Sequence, residues 1–245
     1  MDVNYTTAIV CELKLMDYLF YTARDFGRLA VTEERIISNY ALVYALGRAM
    51  ADNTVFPKSQ VQRQPTYMTD FSTLPVYVTP AVSVYTWTKT RTYNTIPERY
   101  QERQHEQYGR TFPSYGRYTM VGPESRYVFV VFSEPPDLHL PSYLRLGKFL
   151  APARLTELVR QDVRSSSGKF VGVPVHRNDV PTDVMPIPCN LVNLGKGHAV
   201  LTDAQWEGGC WQLPKSSVYT TKGQKVFIGQ GLPVCVRFCV RGEFP

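Results

Sequence analysis

The chain has 245 residues, with 27 Lys and Arg against 21 Asp and Glu for a formal net charge of +6, and aromatic content of 13%. That length buries a sizeable core in one large domain, or in a smaller one carrying an insertion, without staples. No apolar run approaches the roughly 20 residues of a membrane span, and "MDVNYTTAIVCELKL" has neither a basic start nor a continuous apolar block, so a cytoplasmic protein with no membrane partner is expected.

The basic excess favours an acidic partner and leaves nucleic acid, anionic lipid and acidic protein open. It is concentrated: residues 88–127 hold seven basic residues against four acidic ones, a net of three out of six. Cys11, Cys189, Cys210, Cys235 and Cys239 are odd in number and include no C-x-x-C pair, so reduced thiols are expected rather than a disulfide framework or a zinc site.

In chain order, Thr7–Leu15 alternates Ile9, Cys11, Leu13 and Leu15 against Ala8, Val10, Glu12 and Lys14, the pattern of a half-buried strand. Ser38 stands where it can cap a helix whose Leu42, Val43, Leu46 and Met50 form an apolar stripe, with Tyr40, Tyr44 and Arg48 on a neighbouring face. Pro80 divides the β-branched Pro75–Thr90 stretch into two strands or one bulged edge strand. Tyr127–Ser133, "YVFVVFS", is the most hydrophobic strand candidate.

Between these strands lies an insertion over about residues 89–127 that is nearly empty of aliphatic residues, so it does not build core. Pro97 and Gly109 bracket a short helix there, Ile96 to Tyr108, polar nearly all round and marginal alone.

Further on, "APARLTELVRQ" from Ala151 reads as a helix, and strands are expected around Lys169–Val175, Lys225–Ile228 and Leu232–Val240. In the last of these, Val234, Val236, Phe238 and Val240 would share one face, with Arg237 and Arg241 on the other. Residues 176–223 read as loop-rich. Strand, helix, strand, further strands and a second helix make an α+β domain with an antiparallel sheet, of ferredoxin-like type. A single domain spanning residues 1–245 is expected.

Arg91, Arg99, Arg103, Arg110 and Arg117 are interleaved with tyrosines in the insertion. Arginine supplies a permanently charged fork that matches phosphate, and an aromatic face stacks an unpaired base for about 1–3 kcal/mol. The composition points to single-stranded nucleic acid, with a protein-contact arm and a solvated loop as competing readings. Enzyme signals are poor: His105, His139, His176 and His198 lie far apart, without H-E-x-x-H, G-x-S-x-G or a Walker-type loop. "NLGKGH" (Asn193–His198) fits a phosphate cradle or a hairpin turn equally, and Asp179 and Asp183 in "NDVPTD" fit a turn better than a metal site. No metal and no cofactor is expected.

Three stretches go beyond composition: "YTARDFGRLAVTEERIISNYALVYALG" (Tyr21–Gly47), "RTYNTIPERY" with "FPSYGRY" (Arg91–Tyr118), and "YLRLGKFLAPARL" (Tyr143–Leu155). Together they resemble the type I-D CRISPR member of the Cas-five family, the Csc-one type. The resemblance implies a ferredoxin-like core of the RAMP superfamily with a projecting thumb, in which the insertion would be the thumb. It implies a subunit of a Cascade-type complex that binds the 5′ handle of the CRISPR RNA and caps the filament of backbone subunits. Contact with the large subunit and with target DNA near the PAM duplex is implied as well.

Carried onto matching stretches, the resemblance makes Arg24, Arg28, Asn39, Tyr40, Tyr115, Gly116, Arg117, Arg145 and Lys148 candidates for RNA or DNA contact. One subtype of the family cuts precursor RNA with a tyrosine, lysine and histidine constellation. That constellation has no match here, so a non-catalytic subunit is expected, with an endoribonuclease and a protein-only scaffold as alternatives.

Overall fold

The computed structural model describes residues 4–21, 24–25, 29–50, 55–57, 67–71, 73–94, 115–184, 186–195 and 198–238. Its elements begin with β1 (Thr7–Leu15), the short strands β2 (Arg24–Asp25), β3 (Leu29–Val31) and β4 (Ile36–Ile37), helix α1 (Asn39–Ala49) and the short helix α2 (Tyr67–Phe71). Next come β5 (Val76–Val78), β6 (Ala81–Tyr85), β7 (Thr88–Asn94), β8 (Tyr115–Val121), β9 (Arg126–Ser133), β10 (Tyr143–Leu146) and β11 (Ala151–Asp162). The rest is β12 (Arg164–Val171), β13 (Val175–His176), β14 (Asn190–Gly195), β15 (His198–Thr202), β16 (Gln205–Gln212), β17 (Ser217–Tyr219), β18 (Lys225–Phe227) and β19 (Gly231–Pro233).

A seven-stranded antiparallel sheet runs β10-β11-β1-β9-β6-β4, with β5 also on β9. Pro80 separates β5 from β6, as its missing N–H requires. One face of β1 packs Ile9, Leu13 and Leu15 against Leu42, Val43 and Leu46 of α1. Ser38 holds the N-cap position of that helix, without a side-chain cap bond. The other face packs Ala8 and Val10 with Val128, Val130, Trp206 and Leu232. The half-buried reading of β1 is therefore corrected. Strands from beyond residue 163 cover its second face, and only Lys14 is partly exposed.

The larger correction is at Ala151. The segment is strand β11, paired with β1 from Thr7↔Asp162 to Leu15↔Ala153. Alanine, leucine, glutamate and arginine are helix formers, but propensities of a few tenths of a kcal/mol per residue yield to a long ladder and a buried Ala151, Ala153 and Leu155. The ferredoxin-like expectation thus loses its second helix. The last expected strand is also shorter than Leu232–Val240: it stops at Pro233, although Val236 and Phe238 still pack inward. Residues 176–223, expected to be loop-rich, carry β14 to β17.

Glu12 sits in the middle of the sheet, 2% exposed and ion-paired with Arg126, while Thr221 donates its hydroxyl at 2.7 Å and its N–H at 2.9 Å to the same carboxylate. A buried charge persists only with such partners. Among the described residues no helix is long and apolar enough to cross a membrane.

Candidate nucleic-acid interface

Strands β7 and β8 form an antiparallel ladder from Thr88↔Val121 to Asn94↔Tyr115, and β8 also runs parallel to β3 through Leu29↔Arg117. Side chains alternate along a strand, so Lys89 and Arg91 share a face with their partners Met120 and Tyr118. Thr90 and Thr92 share the opposite face with Thr119 and Arg117. The candidates Arg99, Arg103 and Arg110, and the helix expected over Ile96–Tyr108, fall between these strands and lie outside the described residues.

On the Lys89 face, the segment Met16–Tyr21 is tied to the ladder by reciprocal Leu19–Val121 backbone bonds of 2.9 and 3.0 Å. This places the Tyr18 ring beneath two cations, with Arg91 Cζ at 5.3 Å and Lys89 Nζ at 5.8 Å from its centroid. Trp87 meets Tyr18 edge-on at 5.9 Å and is fixed by its Nε1 donating to the Pro123 carbonyl at 2.8 Å. The indole lies against Gly122, where any side chain would collide with it. Tyr118 then touches Phe20 at 5.2 Å, Phe20 stacks on Phe149 at 5.3 Å and 22°, and Lys148 Nζ stands 5.7 Å from the Phe20 centroid.

Aromatic and cationic groups from three distant segments thus form one continuous ribbon. Asp17, the acidic neighbour of Tyr18, has its Oδ1 occupied by the Tyr18 N–H at 2.7 Å. Such a surface can bind phosphates through its cations and stack bases on its rings. Arg91 and Lys148 were legible in the sequence as candidates. Tyr18, Phe20, Trp87 and Phe149 were not, since none carries a motif and only the fold brings them together.

The other candidates scatter. Arg24 lies on β2 opposite Val31, and Arg28 is outside the described residues. Tyr115 and buried Gly116 sit at the outer end of the ladder. Arg117 is exposed, but on the face opposite Tyr118. Arg145 is exposed on β10, its Nη1 donating to the Leu150 carbonyl at 3.3 Å.

Asn39 and Tyr40 face the protein interior and not the surface. They are 0% and 2% exposed, and both are bonded to the buried Asp179: Asn39 Nδ2 to Oδ2 at 2.8 Å and Tyr40 OH to Oδ1 at 2.5 Å. Tyr77 OH donates to Oδ2 at 2.9 Å, and burial followed by the nearby Asp179 charge holds that phenol well above its usual range. Asp179 therefore joins α1 and β5 to the C-terminal strands.

Beside it the Tyr40 ring lies 4.7 Å from His176, whose Nδ1 accepts the Asn178 N–H at 3.2 Å and whose Nε2 is 3.3 Å from His198 Nδ1. Burial, with a smaller contribution from His198, lowers the His176 pKa to about 3. Among the described residues no three of His, Cys, Asp and Glu are placed to hold a metal ion. Of "NLGKGH", Asn193 and Gly195 end β14 and pair with Ala199 and His198 of β15, while Lys196 and Gly197 lie outside the described residues.

The chain is a mainly antiparallel protein with a cation- and ring-bearing ladder, and it proves to be CRISPR-associated. It belongs to the type I-D CRISPR-associated Cas5/Csc1 family, whose model matches residues 6–240. This family supplies CRISPR effector subunits. Among solved structures it is similar to a chain of the type III-B Cmr-β complex bound to cognate target RNA and AMPPnP, at 10% identity over 81% of this chain and 86% of that one, TM-score 0.46. It is also similar to a CRISPR protein from Archaeoglobus fulgidus, at 9% identity over 91% of this chain and 99% of that one, TM-score 0.35. No curated protein matches the chain.

Proposed function

We propose that this protein is a non-catalytic RNA-binding subunit of the type I-D surveillance complex. In this reading it grips the 5′ handle of the CRISPR RNA, caps the filament of backbone subunits and touches the large subunit near the PAM duplex of target DNA. The observation that carries it is the ribbon from Trp87 through Tyr18, Arg91, Tyr118 and Phe20 to Lys148. In the same reading the chain is one domain with a ferredoxin-like core, and the insertion over about residues 89–127, whose described part is the β7–β8 ladder, is the thumb.

The endoribonuclease alternative gains nothing from the His176–His198 pair, because His176 is 0% exposed and out of reach of a phosphodiester. Incubating the purified chain with labelled repeat RNA tests the proposal. Retention of the 5′ handle without cleavage is expected. Cleavage would favour the endoribonuclease, and no retention would favour a protein-only scaffold.

A further inference from the structure

Phe149 is 62% exposed, although it is backed by a stacked ring. The turn that presents it is unusually constrained. Gly147 has φ +68°, and a Cβ there would stand 2.5 Å from the Phe20 carbonyl oxygen, so the position accepts glycine alone. That carbonyl accepts the Lys148 N–H at 2.8 Å, and Leu150 closes the turn at φ +52°, a conformation seldom adopted by a residue bearing a side chain. Strain held this firmly in an exposed turn points to what the turn presents.

What it presents is the outer face of a phenyl ring. Its inner face lies on Phe20, a second ring, Tyr118, meets it edge-on at 6.5 Å, and the adjacent Lys148 supplies a cation. Resting on the RNA-binding reading above, we infer that Phe149 is the stacking platform for a single unpaired nucleobase, with Lys148 facing the phosphate beside it. The base forms the third layer of a Phe20–Phe149 stack. Bases inside a duplex are excluded, because both of their faces are already covered. Phenylalanine offers no hydrogen bond, so the platform takes any base and prefers the larger purine face. A protein knob is the less favoured occupant, because the cations Lys148 and Arg145 stand at the turn.

The test uses the full chain, an unstructured single-stranded RNA carrying 2-aminopurine, and a duplex of the same sequence. Phe149→Ala should weaken single-strand binding about tenfold, abolish the fluorescence quenching that stacking causes, and leave duplex binding unchanged. Phe149→Trp should retain binding, and Phe149→Leu should behave like alanine, since it keeps apolar area and loses the ring. Thermal melting of each variant controls for folding.

Unchanged RNA affinity in Phe149→Ala, or wild-type affinity in Phe149→Leu, would overturn the platform. So would unchanged RNA affinity accompanied by lost co-purification of neighbouring subunits, which would make Phe149 a protein contact. If Arg91→Ser weakens RNA binding while Phe149→Ala does not, the RNA-binding reading stands and the platform alone falls. If the wild-type chain binds no RNA, both fall.

Discussion

Tyr40 donates its hydroxyl to Asp179 at 2.5 Å across a chain separation of 139 residues, joining the first turn of α1 to a segment of the C-terminal half. Asn39 and Tyr77 converge on the same carboxylate. Removing the acceptor strands three buried donors, and each costs about 1–3 kcal/mol when left unsatisfied. Asp179→Ala should therefore destabilise the fold by several kcal/mol, whereas Tyr40→Phe should cost about 1 kcal/mol. Urea denaturation followed by circular dichroism measures both, and the order should not reverse.

His176 gives a pH dependence with a definite sign. Its folded pKa, about 3, lies below the ordinary value of 6.5, so between these the unfolded chain binds a proton that the folded chain refuses. Stability from this group is complete above pH 6.5 and is lost as pH falls, by about 2 kcal/mol between pH 7 and pH 5. Chemical denaturation at several pH values should show a slope that flattens in His176→Gln.

The Glu12–Arg126 pair and the Lys14–Glu124 pair lie near each other on the sheet and should behave oppositely. Glu12→Ala leaves Arg126 buried without its carboxylate, a change that costs about 3–5 kcal/mol. Glu124 is exposed, so Glu124→Ala should leave the melting transition almost unmoved. Equal effects from the two changes would mean that burial does not set the strength of these pairs.

Stability and RNA retention should separate between the insertion and the sheet. If the insertion is a projecting thumb, replacing Arg99, Arg103, Arg110 and Arg117 with Ser should barely shift the melting transition, since substitutions of exposed residues usually lie within about ±0.5 kcal/mol, yet it should weaken retention of RNA or of neighbouring subunits. Val130→Asp, at a position 2% exposed in β9, should unfold the protein. RNA affinity should also fall steadily with added salt, as counterion release requires.

The elements legible in advance were those whose periodicity and burial agree. β1, α1 and β9 announce themselves by alternation, by a stripe and by a run of Val and Phe. β11 did not, because its composition favours a helix and only the ladder with β1 makes it a strand. At the site, Arg91 and Lys148 were visible as charge. The rings of Tyr18, Phe20 and Phe149 were not, because three segments must meet before any of them means anything. Asn39 and Tyr40 looked like polar contacts for the same reason: their partner lies some 140 residues away.

The placement of β1 between two cores has a consequence for how the protein is made. Its ladder partner β11 begins 136 residues after β1 ends, so at about 5–20 residues per second the ribosome takes on the order of ten seconds to deliver it. The cover over Ala8 and Val10 comes later still, from β16 and β19. Throughout that interval the nascent chain carries an apolar strand with no partner on one edge and nothing over one face. Expression at low temperature, or together with a holdase chaperone, should therefore raise the yield of properly folded protein.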